Sequence, residues 1–147
     1  MAFFRASIIA VLILAAVGTG NAGTINVSAY ITSSGYCSVS NIQNIAFGNL
    51  NPLTATNVQA TGSVRVLCWG WSNNFTVGVT QVSPSPRSLR SGPNSIPYTL
   101  DLPTSATVSL HLLGYVTIPI TAHIQGSDYH LAPAGSYTDT VRVQINP

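Results

Sequence analysis

Thr24-Ile25-Asn26-Val27-Ser28-Ala29-Tyr30-Ile31-Thr32 alternates strictly between apolar and polar residues. Ile25, Val27, Ala29 and Ile31 share one face, and Thr24, Asn26, Ser28, Tyr30 and Thr32 share the other. That is the period of a half-buried β-strand. The run carries no charge and leads into Ser33-Ser34-Gly35, a flexible joint. Such a strand has two uses. It can open its own sheet, or it can insert into a neighbouring subunit, where main-chain hydrogen bonds give affinity and alternate side chains fill pockets. Periodicity does not separate these uses.

The same alternation recurs outward from this run. Val64, Val66 and Cys68 form one set, and Phe75, Val77 and Val79 another. Ile96, Tyr98 and Leu100 follow, then Val116, Ile118, Ile120, Ala122 and Ile124, and finally Val141, Val143 and Ile145. Pro119 lies inside the fourth run and predicts an edge, a bulge or a break there. Asn49–Pro52, Gly62 and Pro133-Ala134-Gly135 read as turns, and the proline-rich Ser83–Pro97 reads as an irregular loop. Short strands at this spacing predict an all-β sandwich or barrel in a single domain.

On the N-terminal side, Met1–Arg5 holds one positive charge and Ala6–Val17 is apolar but for one Ser. Gly20-Asn21-Ala22 places small residues at −3 and −1. The pattern predicts a secretory signal over residues 1–22, cleaved after Ala22, and the apolar run is too short to span a membrane comfortably. The expected organisation is then residues 1–22 as signal, 23–36 as first strand and joint, and 37–147 as the sandwich, with no integral membrane segment after cleavage.

The 147 residues include five Lys plus Arg (all Arg) and three Asp plus Glu (all Asp), so charged residues are 5% of the chain against about 25% ordinarily. Apolar residues at 46% exclude a disordered charged tail, and a net charge of +2 excludes the clustered cations of a nucleic-acid binder. The absence of Lys leaves strand edges poorly guarded against pairing with other strands, a liability in a monomer and acceptable in a polymerising subunit.

Cys37 and Cys68, 31 residues apart, read as one disulfide in an exported chain; two free buried thiols are the alternative. Motifs for catalysis are missing: no G-x-S-x-G, no phosphate-binding glycine loop and no H-E-x-x-H occurs. With three scattered Asp and no Glu, no enzyme, cofactor or metal site is expected, and His111, His123 and His130 read as hydrogen-bonded or exposed. Trp69 and Trp71, two apart on a strand, share a face. They either form a stacking surface for a sugar or a partner, or cover one end of the core beside Cys68.

Several stretches, in order, resemble the spore coat protein U domain, the fold of archaic chaperone–usher (Csu-type) pilus subunits. They are Cys37-Ser38-Val39 with Ile45-Ala46-Phe47-Gly48, then Gly62-Ser63-Val64-Arg65-Val66-Leu67-Cys68, then Ile96-Pro97-Tyr98-Thr99-Leu100, and last Ala134-Gly135-Ser136-Tyr137-Thr138-Asp139-Thr140-Val141. Gly135, Tyr137 and Asp139 carry the most specific of these motifs. The stretch from Tyr98 to Val116 is short for the family, and Ala122-His123 stands where an aromatic-glycine pair is frequent.

The resemblance implies an immunoglobulin-like β-sandwich that lacks one strand, with the Cys37–Cys68 disulfide. It implies a donated strand carrying Ile25, Val27, Ala29 and Ile31, and Val141, Val143 and Ile145 on a strand bordering the open groove. Implied partners are a periplasmic chaperone, an outer-membrane usher and copies of the chain or related subunits in a surface fibre supporting adhesion and biofilm formation. A secreted coat or matrix protein whose first strand completes its own sheet, or a lectin-like module using Trp69 and Trp71, are the alternatives.

Overall fold

A computed structural model of the chain describes residues 21–32, 36–70 and 74–147. Most of the expected signal, the joint Ser33–Gly35 and Trp71 lie outside the described residues. The architecture is an all-β sandwich. In chain order the elements are β1 (Asn21–Ile31), β2 (Cys37–Gln43), β3 (Ile45–Leu50), β4 (Val58–Gly70), β5 (Asn74–Gln81), β6 (Arg87–Ser91), β7 (Asn94–Asp101), β8 (Ser105–Ser109), β9 (Leu112–Ile124), a single helical turn α1 (Gly126–Tyr129), and β10 (Ser136–Asn146).

One layer runs β2-β4-β9-β7 and the other β6-β10-β1-β3, with β7 hydrogen-bonded into both through β9 and β6. β5 joins the far half of β10 and carries β8 on its other side. The core lies between the layers, where the alternation sends one side of each strand inward. Val64, Val66 and Cys68 of β4 and Ile118, Ile120 and Ala122 of β9 are buried on one side. Ile25, Val27, Val141, Val143 and Ile145 are buried on the other. Full burial of an aliphatic side chain stabilises by about 1.5–3 kcal/mol, so these ladders are the main source of stability.

The chain changes layers at Asn44, between β2 and β3. Directly beneath that crossover lies Gly62, where an added Cβ would stand 2.4 Å from the carbonyl oxygen of Gln43. Gly62 is therefore not a turn, as its residue type predicts, but the middle of the long strand β4, kept bare by the backbone crossing it. Ser83–Pro97 likewise departs from the loop reading. It holds the hairpin β6–β7, whose end residues Ser91 and Asn94 pair across Gly92-Pro93. Gly92 has φ +59°, the value required at the first central position of the two-residue hairpin turns that match strand twist. Pro119 sits within β9, which pairs with β4 along its length but with β7 only at Thr121–His123. The proline thus falls where the other side of the strand has no ladder to donate to.

Cys37 and Cys68 face each other across β2 and β4 and form the disulfide. It closes a loop with a sequence separation of 31, worth about 3–4 kcal/mol in the chain-entropy account. A Cys37→Ser/Cys68→Ser chain is expected to lose that amount in urea unfolding; an unchanged midpoint would mean that β2 is held by its ladder alone.

Candidate functional site: the seat of the first strand

β1 runs between β10 and β3, parallel to β10 and antiparallel to β3. Against β10 the register is unbroken from Ala22↔Ser136 to Ile31↔Ile145. Against β3 it shifts between Gly23 and Thr24. Removing β1 from this position would leave the facing edges of β10 and β3 without partners, and unpaired buried backbone groups are costly.

The apolar face of β1 points into the core. Ile25 and Val27 are buried, and Ala29 and Ile31 are partly buried against the same cluster. On β10, Val141, Val143 and Ile145 are buried beside them, paired in turn with Val27, Ala29 and Ile31. Two residues at the start of the strand complete the inward row, and alternation read from Thr24 onward missed them. Gly23 packs so closely that an added Cβ would lie 3.3 Å from Leu50, Leu89 and Phe47. Asn21 is fully buried; its Nδ2 donates to the Ala132 carbonyl at 3.3 Å and its Oδ1 accepts from the Gly135 amide at 3.1 Å.

Polar contacts hold the outer face and both ends. The Ala22 amide donates to the Gly135 carbonyl, and the Thr32 amide donates to the Ile145 carbonyl, each at 3.1 Å. The Ser28 hydroxyl donates to the Val141 carbonyl at 3.3 Å, and the Tyr30 hydroxyl donates to Gln144 at 2.9 Å. At the layer change, the Asn44 side chain accepts from the Val27 amide at 2.9 Å, where the ladder with β3 stops at the first residue of that strand.

Gly135, Tyr137 and Asp139 take up separate positions around this seat. Gly135 donates its amide to Asn21 and accepts at its carbonyl from Ala22. Tyr137 is buried and donates its hydroxyl proton to the Pro133 carbonyl at 2.8 Å, which braces the turn carrying Gly135. Asp139 accepts from the Arg87 guanidinium through Nε at 3.0 Å and from the Tyr98 hydroxyl at 2.7 Å. Arg87 also donates through Nη2 to the Thr140 carbonyl at 2.7 Å. The cluster ties the β6–β7 hairpin to β10 with one mostly buried ion pair.

Burial alone lowers the Arg87 pKa, and the hydrogen bonds to Tyr98 and Asp139 outweigh it, so the net shift is upward. For Tyr98, burial first and then the Asp139 hydrogen bond push the phenol up; burial does the same for Tyr137. The folded state therefore holds these two phenolic protons more tightly than the unfolded chain does. Stability from this source is complete below the ordinary tyrosine pKa of about 10 and is lost as pH rises through the raised folded values. We expect the urea midpoint to fall above pH 10 and a Tyr98→Phe/Tyr137→Phe chain to have a flatter alkaline limb. Equal slopes in both chains would contradict this.

The remaining candidate residues lie elsewhere. Trp69 does not cover the core: Cys68 turns inward, so Trp69 turns outward, 43% exposed, opposite Leu113 on β9. Nearby on this face the Arg65 guanidinium stacks over Tyr115 at 4.3 Å. His123 pairs with Asp101 at 2.9 Å, and His130 bonds the Ser127 carbonyl at 2.7 Å through Nδ1. Among the described residues, no three His, Cys, Asp or Glu side chains gather as a metal site would require. No helix among them is long and apolar enough to cross a membrane.

The family model for the Spore Coat Protein U domain matches residues 21–144. The chain belongs to the Spore Coat Protein U family. A search of curated proteins gives no match. Csu-type pilus subunits are the known kind of Spore Coat Protein U member, and the family is one of structural pilus or coat subunits, not of enzymes. In general terms this Spore Coat Protein U chain is thus a surface or extracellular structural protein that assembles with other subunits.

Proposed function

We propose that the chain is a structural subunit of a surface pilus assembled by donor-strand exchange, supporting adhesion and biofilm formation. In this reading the N-terminal segment, read from the sequence as a signal over residues 1–22, directs export, and a periplasmic chaperone fills the groove between β10 and β3 until an outer-membrane usher replaces it with β1 of the next subunit. The observation that carries the reading is the way β1 is attached. It contributes a whole inward row to the core, yet it reaches the body only through the short stretch Thr32–Tyr36. A strand so tethered makes the same contacts whether the groove belongs to its own chain or to a neighbour. Family membership and the Lys-free composition support the same reading.

One observation favours a second reading. β1 occupies its own chain's groove, the arrangement of a self-complemented coat or matrix protein. Expression in a bacterial periplasm with the cognate assembly proteins, with and without residues 21–32, separates the two on unboiled and boiled SDS gels. A heat-sensitive ladder from the full chain, absent from the deletion, is the result expected for the pilus subunit. A stable monomer that needs no chaperone would overturn it in favour of the coat protein.

A further inference from the structure

We infer that Asn21 stays in the mature chain, processing occurring at or before the Gly20–Asn21 bond and not after Ala22, and that Asn21 fixes the register of the first strand in its groove. The processing half rests on residues 1–20 acting as an export signal.

Tyrosines aside, Asn21 is the only buried polar side chain among the described residues, and both of its polar ends are satisfied by the Ala132–Gly135 segment. Polar atoms buried in this way, with good partners on both sides, specify one arrangement and penalise others. The rest of the inward row needs such a device. Ile25, Val27, Ala29 and Ile31 repeat every two residues, and a two-residue slide would keep every apolar side chain facing the core. Gly23 and Asn21 remove that degeneracy. Sliding one way brings Ile25 opposite Tyr137, into the position now held by Gly23, where Leu50, Leu89 and Phe47 leave no room for a branched side chain. Sliding the other way brings Asn21 into that apolar position and strips it of both hydrogen-bond partners. The native register alone suits both residues.

Cleavage after Ala22 would discard this device, and with it the Ala22 amide that donates to the Gly135 carbonyl. Earlier bonds meet the same small-residue rule: Gly18 and Gly20 precede Asn21 at −3 and −1, and Ala16 and Gly18 stand likewise before Thr19.

The intact mass of the protein recovered from the periplasm or medium tests the processing. A chain beginning at Thr19, Gly20 or Asn21 is expected; one beginning at Gly23 overturns the inference. A chain that keeps Met1 overturns both the processing inference and the export reading on which it depends. Register is tested separately by oxidative cross-linking on the exposed outer face, where Asn26 lies opposite Thr140. Asn26→Cys/Thr140→Cys should cross-link efficiently, and Asn26→Cys/Arg142→Cys, which reports the slide that Asn21 opposes, should not. Adding Asn21→Gly, which fits the Gly23 position, is expected to reduce the preference for the native pair about 25-fold, two hydrogen bonds being worth roughly a factor of five each. An unchanged preference would overturn the register role. Because monomers and ladders separate by size, the measurement is valid whichever chain owns the groove.

Discussion

An Ile25→Asp chain is expected to lose about 4–6 kcal/mol of stability, a large part of the 5–15 kcal/mol typical of a domain. Ile25 is fully buried, between Asp139 on β10 and Ile45 on β3. Losing its burial costs about 1.5–3 kcal/mol, and an isolated carboxylate in the same place adds several more. The new charge would also stand next to Asp139, whose side chain falls on the same side of β10 as buried Tyr137 and Val141. The loss is bounded because β1 can leave the groove and return the charge to water. Urea unfolding should therefore show either a lower midpoint or a separate early transition. Asn26→Asp is the control: it lies on the same strand but is exposed, and it should change stability by less than about 0.5 kcal/mol. Equal losses from the two substitutions would mean that β1 is not held by its inward row. In the pilus reading Ile25→Asp also abolishes the heat-sensitive ladder, and Val27→Asp, at the next buried position of the row, does the same.

Asp139→Ala is expected to cost about 2–4 kcal/mol. Removing one partner of a buried ion pair ordinarily costs about 3–5 kcal/mol because the other charge is left uncompensated. The discount reflects Asp139, whose side chain keeps 23% of its exposure while that of Arg87 keeps 9%. The change also takes the acceptor from the Tyr98 hydroxyl. Arg87→Met alone should cost a similar amount, and Arg87→Met/Asp139→Leu should recover much of the sum, since residues in one hydrogen-bonded cluster couple by about 0.5–3 kcal/mol. Strictly additive losses would mean that the ion pair stabilises little beyond the packing of its stems.

Much of the sandwich could be read along the chain, because strands half-buried between two layers carry their period openly. Thr24–Ile31, Val64–Cys68, Val116–Ile124 and Val141–Ile145 all send the expected side inward. The same alternation already placed Trp69 opposite to Cys68, so its outward position was available from the residues. What stayed hidden depends on distant partners. Gly62 is small because Gln43 crosses over it, and nothing next to Gly62 says so. Arg87 and Asp139 meet across 52 residues, with no local pattern that joins them. Asn21 lay beyond the boundary that small residues near Ala22 suggested, and a polar residue at the head of an apolar row reads as its end until the Ala132–Gly135 turn is seen to receive it. The owner of the groove is hidden for a different reason: contacts made within one chain and between two chains are chemically the same.

The parallel pairing of β1 with β10 joins strands from opposite ends of the described sandwich, with Ser28 bonded to Val141 across 113 residues. β1 therefore completes its seat only after β10 has been made. Until β10 is made, β1 is an uncharged ribbon with only β3 of its two partners at hand. In the pilus reading, the vacancy beside β10 is then open to whichever strand reaches it first. Contacts this distant in sequence form slowly. In that reading the interval belongs to competition, and the length of chain between β1 and β2 sets the odds by fixing the local concentration of the chain's own strand against every other in reach.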